Sequence, residues 1–166
     1  MNRVFKVRYG AWVSLATVGI FILLGYSIYN LYKTPVISYD NSNVIAMSIT
    51  AVVSTVLLIF GYLFTAKEYV LTNDKLIIRR PIKPIEIELK SIIDIEEIAN
   101  KLFFGFIRTF GNGGVFGIVG EHYHPKYKFV KFYSGKVTNL VLIKSRNGNY
   151  VISPKQGFVE TIKELL

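Results

Sequence analysis

His122 and His124 alternate beside Glu121 in the run E-H-Y-H. Residues two apart on a strand point the same way, so this trio could begin a metal site. A zinc site needs three or four ligands in defined geometry, and the chain has no Cys and no third His. The pair therefore reads as solvent-exposed loop histidines, with no metal and no cofactor expected. Glu86 with Glu88, and Glu96 with Glu97, could supply an acid–base pair. Their spacing is also that of an exposed strand face, where solvated charge accounts for them.

A second chemistry is suggested by the run 101–120, KLFFGFIRTFGNGGVFGIVG, which is dominated by Phe and Gly. Gly111, Gly113 and Gly114 could cradle a phosphate through successive backbone N–H groups. Phe116 stands where the last glycine of a G-x-G-x-x-G fingerprint should be, and no G-K-[ST] follows. The simpler account is that the glycines allow positive φ and sharp bends between bulky rings. Arg108 could bind an anion, or pair with a nearby acid, which is the expectation here. Phe103, Phe104, Phe106, Phe110 and Phe116 are more rings than a small core can hold, so some should lie outside it as an apolar patch. Phe104, Phe106, Arg108, Phe110, Gly111, Gly113, Gly114 and Phe116 are accordingly the candidate interaction surface, meeting the membrane interface or a second subunit. Arg79, Arg80 and Lys83 form the densest basic cluster. Beside anionic lipid headgroups each could gain about 1 kcal/mol, although an ordinary cytoplasmic bias of positive charge explains the cluster equally.

These residues must be positioned by what precedes them. Residues 10–32 and 43–65 contain no Asp, Glu, Lys, Arg or His. Each run is long enough to cross a bilayer as a helix, and together they read as a transmembrane hairpin with a short turn over 33–42. The first run is too long for a secretory signal and has no small-residue cleavage site. Trp12 near one end, and Tyr26, Tyr29 and Tyr32 near the other, suit the headgroup level. Ala46, Thr50 and Ser54 could form a small-residue stripe for close helix approach. Arg3, Lys6 and Arg8 precede the first run, while Lys67, Lys75, Arg79 and Arg80 follow the second. The positive-inside rule then places both termini, and everything after 66, in the cytoplasm. The net charge of +9 and mean hydropathy of +0.38 fit a small membrane protein. A nucleic-acid binder could share the charge but not the two uncharged runs.

Residues 67–166 read as one β-rich domain. Strand-like runs flank Asn73-Asp74, I-E-I-E-L at 85–89 alternates strictly, and strand patterns recur at 92–98, 127–133, 140–144 and 150–152. Asn147-Gly148 is a strong hairpin signal. Ser153 to Gln156 resembles a capping box that would open a final helix, with Phe158, Ile162 and Leu165 buried on one face.

The run Y-V-L-T-N-D-K-L-I-I-R-R-P at 69–81, the string R-T-F-G-N-G-G-V-F-G at 108–117, and N-L-V-L-I at 139–143 with I-S-P at 152–154 resemble the bacterial pleckstrin-homology-domain family, membrane-anchored subgroup. The resemblance implies a PH-like antiparallel β-barrel or sandwich of about seven strands with a C-terminal capping helix, making the whole chain an α+β membrane protein. It implies no enzyme. Phosphoinositide-binding PH domains carry Lys and Arg around an open first loop, whereas here that loop is the tight Asn73-Asp74 turn. The expectation is a non-enzymatic interaction or scaffold module of the bacterial cytoplasmic membrane that binds a protein, a lipid headgroup or a second copy. The alternative is a small-molecule sensor or enzyme with a pocket under 103–120.

Overall fold

The computed structural model describes residues 3–33 and 41–166. Two long helices, α1 (Ala11–Lys33) and α2 (Asn41–Phe64), stand where the uncharged runs are, and both are long and apolar enough to cross a membrane. The centre of the expected turn, 34–40, lies outside the described residues. Polar side chains in the helices bond to their own backbone: Thr17, Ser27, Thr50 and Thr55 each donate to the carbonyl four residues back. They therefore present no unmet donor to an apolar surrounding. The expected stripe on α2 is not the buried one. Ala46 and Thr50 are exposed, and the buried line runs Ser54, Leu58, Gly61, Thr65. A strict four-residue repeat winds around a helix, whereas an antiparallel seam alternates steps of three and four.

Nine strands fall within 67–166, against about seven expected there, and a tenth precedes the helices among the described residues. One four-stranded sheet has the order β1-β2-β3-β4, from Arg3–Lys6, Glu68–Leu71, Lys75–Arg79 and Ile85–Glu88. The strand missed by sequence reading is β1, which looked like nothing more than a basic flank. It pairs antiparallel with β2, Arg3 opposite Leu71 and Lys6 opposite Glu68. The two ends of the helix pair are thus stitched together on one side. The six-stranded sheet has the order β5-β9-β10-β8-β7-β6, from Ile92–Ile98, Leu140–Ser145, Gly148–Ile152, Lys128–Ser134, Ile118–His124 and Ile107–Gly113. Its β8–β10 pair is parallel. The Asn73-Asp74 and Asn147-Gly148 turns fall where expected, and Gly148 takes φ 135°, open to glycine without strain.

Within the six-stranded sheet β9 and the end of β10 are buried on both faces, which explains the unbroken apolar run Leu140-Val141-Leu142-Ile143 of β9. One face packs on the other sheet: Tyr69, Leu71, Leu76, Ile78 and Ile87 meet Val141, Ile143 and Ile152, closed by Phe158 and Ile162 of α3 (Phe158–Lys163). The opposite face holds Ile118, Val130, Phe132, Leu142 and Val151 with Phe103 and Phe106, and includes Val13 from α1. Helix and domain therefore share a core. The start of α3 differs from expectation. Its N-cap is Gly157 in the left-handed region, and Ser153 is buried, its Oγ accepting a hydrogen bond from Gly135 N at 3.1 Å. Leu165 lies past the helix end and is 41% exposed, whereas Phe158 and Ile162 are fully buried.

Candidate interaction surface

The β6–β7 hairpin begins with Ile107 opposite Tyr123, carries a bulge between Arg108 and Phe110, and narrows to a tip at 113–117. Gly111 and Gly120 face each other with φ 113° and 123°, and a Cβ on either would fall 2.2 Å from the opposite strand's carbonyl oxygen. Only glycine fits this crossing. The tip is folded around Asn112, whose Oδ1 accepts from Gly114 N at 3.1 Å and Val115 N at 3.0 Å, and whose Nδ2 donates to Val115 O.

The helices grip this tip. Phe116 N donates to Thr17 Oγ1 at 2.8 Å, and Thr65 Oγ1 donates to Phe116 O at 2.6 Å. The Phe116 ring meets Phe21 and Tyr62 edge-on, with centroids 6.2 and 5.9 Å away. A Cβ on Gly114 would lie 3.3 Å from Ala16 Cβ, and one on Gly61 would lie 2.9 Å from Val115 O. The glycines permit close approach, as expected, but to the chain's own helices.

The 103–120 surface thus divides in three. Phe106 is core: it stacks on Tyr127 at 5.8 Å and meets Phe132 at 5.1 Å. Gly113, Gly114 and Phe116 belong to the gripped tip. Phe104 and Phe110 are free, 88% and 77% exposed. Phe110 has company that sequence reading missed. Ile107 is opposite Tyr123, which is opposite Phe129, and the Tyr123 and Phe129 rings touch at 5.3 Å. Register puts Ile107, Phe110, Tyr123 and Phe129 on one face of β6, β7 and β8, at the end of the six-stranded sheet. Alternation at 118–134 held this information only once the pairing of β7 with β8 was known. Arg108 has no ion pair among the described residues, contrary to expectation. Its guanidinium lies over Gly113, where a Cβ would be 2.3 Å from Nη1.

His122 and His124 are not exposed loop residues. Both lie on β7, buried, with rings 4.3 Å from Phe132 and 4.6 Å from Phe106. They point the same way, as alternation requires, but into the core. Burial lowers the His122 pKa, helped by nearby Arg108 and opposed by its bond to Gly120 O. Glu88 and Glu97 are exposed, as solvated charge on a strand face should be, whereas Glu86 and Glu96 are paired. Glu86 meets Lys75 at 2.8 Å, while Glu96 binds Lys126 at 2.8 Å, Tyr127 and Lys144. Hydrogen bonds from Lys126 and Tyr127 hold Glu96 down to about 2.

The basic cluster is partly spent. Arg79 pairs with Glu68 at 2.7 Å, and Arg80 donates to Lys83 O and lies 5.8 Å over Phe64. Ile82 N donates to Leu63 O at 3.3 Å, which brings this loop beside the end of α2. Two clefts, of about 520 and 370 Å³, take no lining residue from 103–120.

The family model described as Bacterial PH domain matches residues 67–166, more than half of the chain. The chain belongs to the bacterial PH domain family. The matched span starts at the foot of α2 and leaves out β1, which completes the sheet of this bacterial PH domain from outside. No curated protein and no solved structure matches the chain.

Proposed function

We propose that this chain is a non-enzymatic, membrane-anchored interaction module of the bacterial cytoplasmic membrane, with both termini and the PH domain on the cytoplasmic side. The grip of Thr17 and Thr65 on Phe116 carries this reading. A domain that shares a core with its anchor is held in one pose, so a face it leaves open is presented at a fixed height and angle. That face is Ile107, Phe110, Tyr123 and Phe129, and its occupant is a partner protein or a second copy. An exposed apolar patch that reaches the edge strand β6 is a recognised mark of an interface. The basic flanks Arg3, Lys6, Arg8, Lys67, Arg79 and Arg80 support the orientation.

The chain has no Cys, so single-Cys variants are clean probes. Phe110→Cys and, as a control, Lys90→Cys, an exposed position between buried Leu89 and Ser91, would carry a cross-linker in native membranes. Position 110 should give a discrete adduct, a dimer or a single partner band, that position 90 does not. Equal, diffuse labelling at both would overturn the reading. Labelling of either Cys only in inverted vesicles is the result expected for the cytoplasmic orientation.

A further inference from the structure

Three segments far apart in sequence meet where the chain enters α1. Gly10 N donates to Gly135 O at 2.8 Å, and a Cβ on Gly10 would be 3.0 Å from that of Lys136. Gly135 is pressed so closely on Arg8 that a Cβ there would fall 2.5 Å from Arg8 O. The third wall is 154–156, tied to 135 by the bond from Gly135 N to Ser153 Oγ. Between them opens a cleft of about 370 Å³ lined by Arg8, Lys136, Asn139, Pro154, Lys155 and Gln156.

The lining has three cations and no carboxylate. None of Arg8, Lys136 and Lys155 makes an ion pair among the described residues, whereas Lys75, Arg79, Lys126 and Lys144 each hold a carboxylate. Cations gathered around one concavity raise the local potential and attract an anion. Arg8 lies three residues before the first residue of α1. If α1 spans the bilayer, the cleft stands at the depth of the headgroups.

We propose that this cleft binds a phosphate group at the membrane surface, the phosphodiester of an anionic phospholipid or a free phosphate of the same chemistry. The proposal rests on reading α1 as a membrane span. The densest basic run, 79–83, is the weaker site by comparison, since Arg79 is already paired with Glu68 and Arg80 with Lys83 O.

The test uses the full chain in neutral detergent, titrated with phosphatidylglycerol in mixed micelles and, separately, with inorganic phosphate. Removing three cations with Arg8→Gln, Lys136→Gln and Lys155→Gln should weaken phosphatidylglycerol binding about a hundredfold, each contributing roughly fivefold. The charge-matched set Arg79→Gln, Arg80→Gln and Lys83→Gln should change it much less. Inorganic phosphate that binds wild type, fails to bind the cleft variant and displaces the lipid identifies free phosphate as an occupant; lipid binding unmoved by phosphate identifies the headgroup. Equal losses in both sets, or none in the cleft set, would overturn the assignment. Should the triple variant not fold, Lys155→Gln alone, on the exposed side of the cleft, gives the same comparison with a loss of roughly fivefold. Extraction of wild type from membranes by alkaline carbonate would instead remove the anchored reading, whatever the cleft binds.

Discussion

Phe116 holds φ 57°, a left-handed conformation that a bulky residue seldom adopts, and both of its backbone polar groups are taken by threonines, Thr17 of α1 and Thr65 just past α2. Thr17→Val keeps the shape and removes the acceptor, leaving the Phe116 N–H unmet in a closely packed site. The loss should be about 1–3 kcal/mol, read as a lower melting temperature of the full chain in detergent. An unchanged melt would mean that the grip contributes nothing. His122 gives a pH signature. Its pKa is depressed by burial, so the unfolded chain takes up a proton near 6.5 while the folded chain resists. Stability is therefore fully present above 6.5 and falls as pH drops through that value toward the folded pKa. Melting temperatures between pH 7.5 and 5, taken at roughly half-unit steps, should decline in wild type and decline less in His122→Gln. Neither residue's role can be read locally. The H-x-H alternation is visible, but whether it faces solvent or core depends on β8, whose Phe132 covers it.

At the scale of elements, what the sequence made legible was what local pattern dictates. The two helices, the Asn73-Asp74 and Asn147-Gly148 turns and the alternating β4 follow from charge-free length, turn chemistry and period. The failures come where a partner decides. β1 is four residues with no turn or period to mark it, and it exists because β2 offers an edge. Ser153 has the chemistry of a cap, yet Gly135 N claims its hydroxyl. The closing helix is short, so its two inward apolar residues, Phe158 and Ile162, with Thr161 beside them, carry its packing. Ile162→Ala should cost about 2–5 kcal/mol. Leu165→Ala, on an exposed residue beyond the helix, should stay within about 0.5 kcal/mol. Chemical denaturation of both variants side by side would check the contrast, and equal losses would mean that the helix runs on through Leu165.

For the whole molecule, the boundary suggested by composition at residue 66 is not where the packing stops. Val7 and Val13 are buried in the domain's two cores, and β1 covers the edge of β2. A fragment of residues 67–166 should therefore expose an edge strand and part of a core that the full chain covers. Hydrogen exchange at Tyr69 to Leu71 should be faster in the fragment than in the full chain, with the fragment more prone to associate. Equal protection would mean that β1 and α1 merely lie against a domain complete without them.

The pairing of β1 with β2 also sets an order of events. Residues 3–6 are the first of the described residues to be synthesised, and their partner at 68–71 is made only after both helices. The N-terminal segment must wait, unpaired, through the making of the whole helix pair, and the four-stranded sheet closes only when both ends of that pair arrive on one side. In a membrane, closure of the sheet rejects half-inserted chains: a chain with only one of the two helices across has β1 and β2 on opposite sides and no way to complete its fold.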